Sequence, residues 1–196
     1  MGDFKMYMAL GWDHIISTGA LDHILFILAL SAIYVINEWK RVLVLVTAFT
    51  IGHSITLALS AYNLVHLSSK WVEFFIPCTI FITAFSNLFQ KVTASRQVRI
   101  NYFYALFFGL VHGLGFASGL RSLLGKNESI VTPLLGFNIG LECGQIVIVT
   151  AILIFSYLII NLLKVSREKW ILFLSAGVFS LALKMAIERW PIININ

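Results

Sequence analysis

The chain has 196 residues, 59% of them hydrophobic and 12% charged, and its mean hydropathy is +0.91. A soluble domain carries about 25% charged residues, so that class is excluded. Repeated apolar runs near 20 residues lead instead to an all-α, polytopic membrane helical bundle, read as a single integral domain over residues 1–196. The net charge of +5 calls for no nucleic acid, because the basic residues fall mainly in the short segments between apolar runs; the lipid bilayer is the partner this composition implies.

Residues 1–8 form a short polar start. Asp3 and Lys5 precede an apolar run already interrupted by Asp13, His14, Asp22 and His23, which is not the pattern of a cleavable signal peptide. Residues 8–36 read either as one long bent helix or as a short interfacial piece followed by a short span, with the break at Ser17-Thr18-Gly19. Residues 37–41 are a polar turn with an interfacial Trp39. The second span, 42–62, carries His53. A loop at 63–70 follows, in which His66 reads as a solvated residue. The third span, 71–89, begins at an interfacial Trp71 and holds Glu73 near its start and Pro77 inside.

Residues 90–99 form a polar, basic turn. The fourth span, 101–124, carries His112, and 125–129 is a loop. Pro133 suits the first turn of the fifth helix, where its missing N–H costs nothing. That helix runs to about residue 163 and carries Asn138, Glu142 and Gln145. A basic turn at 164–169, a sixth span at 170–187 and a short tail complete the chain. The expectation is six transmembrane helices, or seven if the N-terminal segment is separate. Cys78 and Cys143 lie inside apolar runs without a CxxC motif and read as small hydrophobes.

With six spans, the turns after spans one, three and five share a side. They hold Lys40, Arg41, Lys91, Arg96, Arg99, Lys164, Arg167 and Lys169. The other side holds the smaller set Lys5, Lys70, Arg121, Lys126 and Arg189. The excess places the first group in the cytoplasm and both termini outside, in a multi-pass membrane protein.

That orientation fixes depth. His53 lies about eleven residues from the inner end of its span, His112 at a similar height, and Glu142 about ten residues into the fifth helix from outside. At about 1.5 Å per residue, all three fall within several Å of mid-membrane. Asp22 and His23 join that level if the first helix begins near residue 8. An ionisable residue at such depth costs roughly 2.5–3.5 kcal/mol on insertion scales and marks a function by default. The expectation is that Asp22, His23, His53, His112 and Glu142 meet. Imidazole and carboxylate together suit borderline divalent ions, with Ni, Co, Zn and Fe(II) all open. His14, eight residues before Asp22, shares its helical face and is either a ligand at the outer mouth or an interfacial residue.

Small residues surround these positions. Gly136, Gly140 and Gly144 recur every fourth residue, a stripe that lets another helix approach closely. Asn138, Glu142 and Gln145 form a polar row beside it, read as facing the bundle interior. Gly109, Gly113 and Gly115 flank His112, and Gly52 precedes His53. Thr50 and Ser54 either hold the His53 imidazole in one tautomer or bond their own helix. A weak echo relates Phe49-x-x-x-His53-x-x-x-x-Ala58 to Phe108-x-x-x-His112-x-x-x-x-Ala117.

Four blocks resemble the HupE/UreJ family of small bacterial membrane proteins. They are Gly19-Ala20-Leu21-Asp22-His23-Ile24-Leu25-Phe26; Thr47-Ala48-Phe49-Thr50-x-x-His53-Ser54-x-Thr56-Leu57; Gly109-Leu110-x-His112-Gly113-Leu114-Gly115-Phe116-Ala117; and Gly136-Phe137-Asn138-x-Gly140-x-Glu142-x-Gly144-Gln145. The resemblance implies nickel or cobalt permeation, with the metal ion as substrate and nickel or cobalt favoured over zinc or iron. One branch of the family has a His-Pro-Gly-x-Asp-His signature. Here Thr18 stands for the leading His and Gly19 for the Pro, with His14 one turn earlier, which places the chain nearer a second branch.

Three functions remain open on sequence: a secondary carrier for Ni2+ or Co2+, an intramembrane metal-dependent enzyme, and an accessory subunit of a membrane complex. No Walker motif is present, so the chain itself does not hydrolyse ATP. The absence of HExxH removes the commonest metalloprotease form, and Gly52-His53-Ser54 is not a nucleophile elbow. Assembly as a homo-oligomer is left open.

Overall fold

In a computed structural model, residues 2–65, 67–89, 95–123 and 130–191 are described. His66, Lys91 and the loop expected at 125–129 lie outside them. Every regular element among the described residues is helical: α1 (Gly2–Ile16), α2 (Leu21–Ser31), α3 (Trp39–Ala61), α4 (Ser69–Leu88), α5 (Ser95–Leu123), α6 (Val131–Tyr157) and α7 (Arg167–Glu188). Short 3-10 turns at Thr18–Ala20 and Ile36–Glu38 and a π turn at Leu158–Leu162 join or extend them.

Four helices are long and apolar enough to cross a membrane: α3 with its preceding turn, α4, α6 with its π turn, and α7. The pair α1 and α2, bent by 70° at the Ser17–Ala20 break, makes a fifth if it counts as one broken span. Among the described residues the count by length and composition is therefore four to five. α5, the helix that carries the span expected at 101–124, is 29 residues long and lies outside that count. Its N-terminus also begins at Ser95, inside the segment expected to be a polar turn.

The outward faces are apolar. Val44, Ile51, Phe75, Ile82, Phe103, Val147, Phe155 and Phe173 are each more than 40% exposed, a surface suited to acyl chains rather than water. Cys143 also lies on the exterior and Cys78 is half-buried, both as free thiols. The polar residues turn inward: Thr50, His53, Thr56, Thr79, Thr83, Asn87, His112 and Gln145 are all buried.

Two close-packed pairs organise the bundle, because apolar burial gives helices little drive to associate in lipid and backbone approach must supply it. In the first pair, α1 runs parallel to α6. A Cβ added at Gly140 would stand 1.9 Å from the Met8 carbonyl oxygen, one at Gly11 2.0 Å from that of Phe137, and one at Gly144 2.1 Å from the Ile15 side chain. In the second, α3 runs parallel to α5, with Gly52 facing the Leu106 carbonyl, Gly109 the Phe49 carbonyl and Gly113 the backbone of His53. The spaced glycines of α6 thus form the seam expected of them. On α5 the seam is Gly109 and Gly113, while Gly115 turns towards Ile76 of α4. The two helices that echo one another in sequence are the parallel pair α3 and α5.

A third group is built from aromatic and polar contacts. Phe81 and Phe179 stack between α4 and α7 with ring centroids 4.6 Å apart, and Phe74 meets Trp190 edge-on at 5.0 Å. The Asn87 amide donates to the Ala29 carbonyl oxygen at 2.7 Å, tying α4 to α2. At the basic end of the bundle, Arg167 donates to the Ile33 carbonyl at 2.6 Å and to Glu38 at 3.2 Å, while Arg41 binds the other Glu38 oxygen at 2.5 Å. Ser166 caps α7 by accepting from the Lys169 backbone N–H.

Candidate metal centre

The break between α1 and α2 is where the ionisable side chains gather. His14 occupies the last turn of α1, and Asp22 and His23 open the first turn of α2. The bend turns the two halves so that the His14 and His23 rings meet edge-on, centroids 4.8 Å apart. His53, carried by α3, stands 6.1 Å from His14 and 6.3 Å from His23. His112, on the partner helix α5, is 5.0 Å from His23. One ligand nitrogen from each of His14, His23 and His53 can be chosen so that all lie within 4.8 Å of one another. Around an ion at about 2.0–2.1 Å, imidazole nitrogens would sit roughly 3.3 Å apart, so small rotamer shifts would close the set.

The hydrogen bonds decide which nitrogens carry lone pairs. Asp22 Oδ1 accepts from the His23 backbone N–H at 2.9 Å and lies 3.0 Å from His23 Nδ1. A carboxylate only accepts, so the proton is on Nδ1 and the Nε2 lone pair is free. Thr79 donates its single hydroxyl proton to the Ile76 carbonyl at 2.7 Å. His112 Nε2, 3.3 Å from the same oxygen, must then be the donor, leaving Nδ1 with the lone pair. His23 Nε2, His112 Nδ1, His14 Nε2 and both nitrogens of His53 are buried without a protein partner. A buried polar atom left unpaired costs about 1–3 kcal/mol, so four such rings in one place are poorly explained as packing alone.

Phenylalanines wall the cluster. Phe116 lies 4.3 Å and Phe137 5.4 Å from the His14 ring, Phe137 stacks on His53 at 6.0 Å, and Phe26 and Phe49 lie 5.4 and 5.2 Å from His112. All four belong to the sequence blocks quoted above, but nothing in composition or spacing assigns them this role. They exclude water and so strengthen electrostatic interactions inside. Two further neighbours escaped sequence reasoning. Arg189 approaches Asp22 Oδ2 at 3.7 Å, and Thr79 orients His112. On sequence Arg189 counts only among the basic residues of the outer side, and nothing marks Thr79.

The remaining expected ligands are placed as follows. Asp22 stands behind His23, one oxygen on its ring and the other towards Arg189. His14 sits within the imidazole cluster. Glu142 is not in the cluster: its Oε1 accepts from the Thr47 hydroxyl at 2.7 Å, linking α6 to α3. Gln145 is buried and accepts from Thr50 at 2.9 Å, and the Asn138 amide donates to its own helix at the Leu134 carbonyl. Thr50 and Ser54 do not touch the His53 ring. Thr50 bonds Gln145 and the Val46 carbonyl, and Ser54 bonds the Thr50 carbonyl at 2.6 Å, which is the usual behaviour of hydroxyls within a helix.

The family model described as "HupE / UreJ protein" matches residues 1–190. No curated protein and no solved structure matches the chain.

Proposed function

The chain belongs to the HupE/UreJ family, associated with nickel and cobalt transport, and we propose that it carries a divalent transition-metal ion, nickel or cobalt, across the bacterial cytoplasmic membrane. On this reading α1 and α2 are one broken crossing, α5 is another, and the chain crosses six times. The ion binds the imidazoles of His14, His23 and His53, with His112 beside them. Asp22 acts through His23, holding the proton on Nδ1 so that Nε2 faces the ion, as carboxylates behind metal-bound histidines do.

The observation that carries the proposal is the cluster of buried imidazole lone pairs at a helix break. Discontinuous membrane helices place ligands at mid-depth and let the two halves move separately. Neutral imidazole suits borderline ions such as Ni2+ and Co2+ over Mg2+ or Ca2+. Glu142 lies outside the imidazole set but on the contact between α3 and α6, where its charge attracts a cation without holding it.

The test is nickel-63 uptake into sealed proteoliposomes, with metal analysis of the same preparation. Wild type is expected to bind one or two ions and accumulate the isotope, and His23→Ala to do neither. Stoichiometric binding without accumulation in sealed vesicles would turn the reading towards an intramembrane enzyme. No stoichiometric ion in purified wild type would sink it.

A further inference from the structure

Below the imidazoles, α4 carries a buried polar row of which the metal centre uses only Thr79. Thr79, Thr83 and Asn87 recur at offsets of four, which is one face of a helix, and each is 5% exposed. Phe85, on the opposite face of α4, is exposed, as are Phe75 and Ile82 to one side of the row. The row is continuous with the site at its upper end, where His112 donates to the Thr79 hydroxyl. Thr83 then bonds the Thr79 carbonyl at 2.9 Å, Asn87 reaches across to the Ala29 carbonyl, and the buried Asn101 amide donates to the Tyr34 hydroxyl at 3.2 Å. Thr79 to Asn87 covers about 12 Å of helix axis. With Asn101 and Tyr34 the row arrives at the basic end of the bundle, close to the turn that Glu38 and Arg167 close. A cavity of about 10 Å³ lies along it, lined by Leu30, Thr83, Ser86, Asn87, Asn101 and Tyr104, room for about one water.

We propose that the buried hydroxyl and amide column Thr79–Thr83–Asn87–Asn101, between α2, α4 and α5, is the inner half of the passage by which the divalent cation moves between the imidazoles and the basic membrane face. This rests on the carrier reading above. A threonine bonding its own helix is common in membrane spans and alone would mean little. Two buried asparagines in line with the threonines, a cavity beside them and a direct link to His112 make a connected path.

The chemistry suits transit rather than storage. The column offers only neutral oxygen and amide groups, which solvate a cation but hold a borderline ion far more weakly than imidazole does. Conduction needs sites favourable enough to enter and weak enough to leave. At about 10 Å³ the cleft is closed to a hydrated ion in this conformation, so passage requires α4 and α5 to part. Their contact permits that: α5 is locked by its glycine seam to α3, not to α4.

The test pairs equilibrium nickel binding with nickel-63 uptake for Thr83→Val, Asn87→Leu and the double variant, each close to the native volume. The expected result is wild-type binding stoichiometry with uptake slowed about tenfold or more, equivalent to about 1.4 kcal/mol of barrier. Thr83→Ser, which keeps the hydroxyl, should restore uptake. If Asn87→Leu fails to fold through loss of its bond to Ala29, Thr83→Val decides alone. Wild-type uptake in folded variants with intact binding overturns the column and leaves the metal centre standing. Absence of binding in the wild type overturns the carrier reading instead.

Discussion

Replacing Gly140 by alanine isolates the close approach that positions His14. The added Cβ would meet the Met8 carbonyl oxygen at 1.9 Å, whereas real Cβ contacts essentially never fall below 3.0 Å. The obstacle is backbone, not a flexible side-chain tip, so α1 must move away from α6 by about 1 Å. Overpacking of this kind costs about 1–3 kcal/mol. The same displacement shifts His14 by about the tolerance of a binding site, roughly 0.5–1 Å, so nickel affinity should fall about tenfold or more. Gly177→Ala is the matched control, because nothing lies within 4 Å of a Cβ there. Alanine also favours a helix over glycine by about 1 kcal/mol, so that variant should be neutral or slightly more stable. Thermal unfolding in detergent, followed by tryptophan fluorescence, reads the first effect and equilibrium nickel binding reads the second. If Gly140→Ala melts and binds like Gly177→Ala, the seam does not set the site.

Other outcomes follow from the same geometry. His53 is fully buried with both ring nitrogens unpaired, so His53→Leu should stabilise the metal-free protein by about 1–3 kcal/mol while abolishing nickel binding; a destabilised variant would mean the ring has partners. Asp22→Asn should weaken binding about 10–100-fold without unfolding the protein, since the side chain keeps its size; unchanged affinity in a titration would show that the His23 tautomer needs no carboxylate.

Much of this could be read from the chain, and the shortfalls have physical causes. The break between α1 and α2 was legible because Ser17-Thr18-Gly19 interrupts an apolar run, and the glycine stripe on α6 because close approach in lipid demands small residues at regular spacing. His53 and His112 stand out by cost: an imidazole inside an apolar run needs a reason. The place of Glu142 was not legible. Depth along a helix is set by counting residues, but rotation about the axis and the presence of Thr47 opposite are set by packing. The row Thr79, Thr83 and Asn87 does not stand out in sequence either. Hydroxyls that bond their own helix look the same whether they line a route or face lipid, and only the fold distinguishes them.

The division of the ligands among packed groups bears on how an ion could be released. His14 belongs to the pair α1 and α6, His53 and His112 to the pair α3 and α5, and Asp22 and His23 to the group α2, α4 and α7. Each group is held by internal contacts, glycine seams in the first two and aromatic stacking in the third. The 70° break lets α1 and α2 belong to different groups although they are nearly continuous in sequence. A small rotation of one group against another therefore separates the ligand nitrogens without disturbing any seam, the rigid-body logic of alternating access. Short thiol cross-links test it in a background carrying Cys78→Ser and Cys143→Ser. Linking α3 to α6 through Thr47→Cys and Glu142→Cys joins two groups, and should stop nickel-63 uptake while leaving nickel bound. Linking α4 to α7 through Phe81→Cys and Phe179→Cys stays within one group and should leave uptake intact. Equal transport by both cross-linked proteins would mean that the three groups move as one, and that the ion leaves by rearrangement of side chains alone.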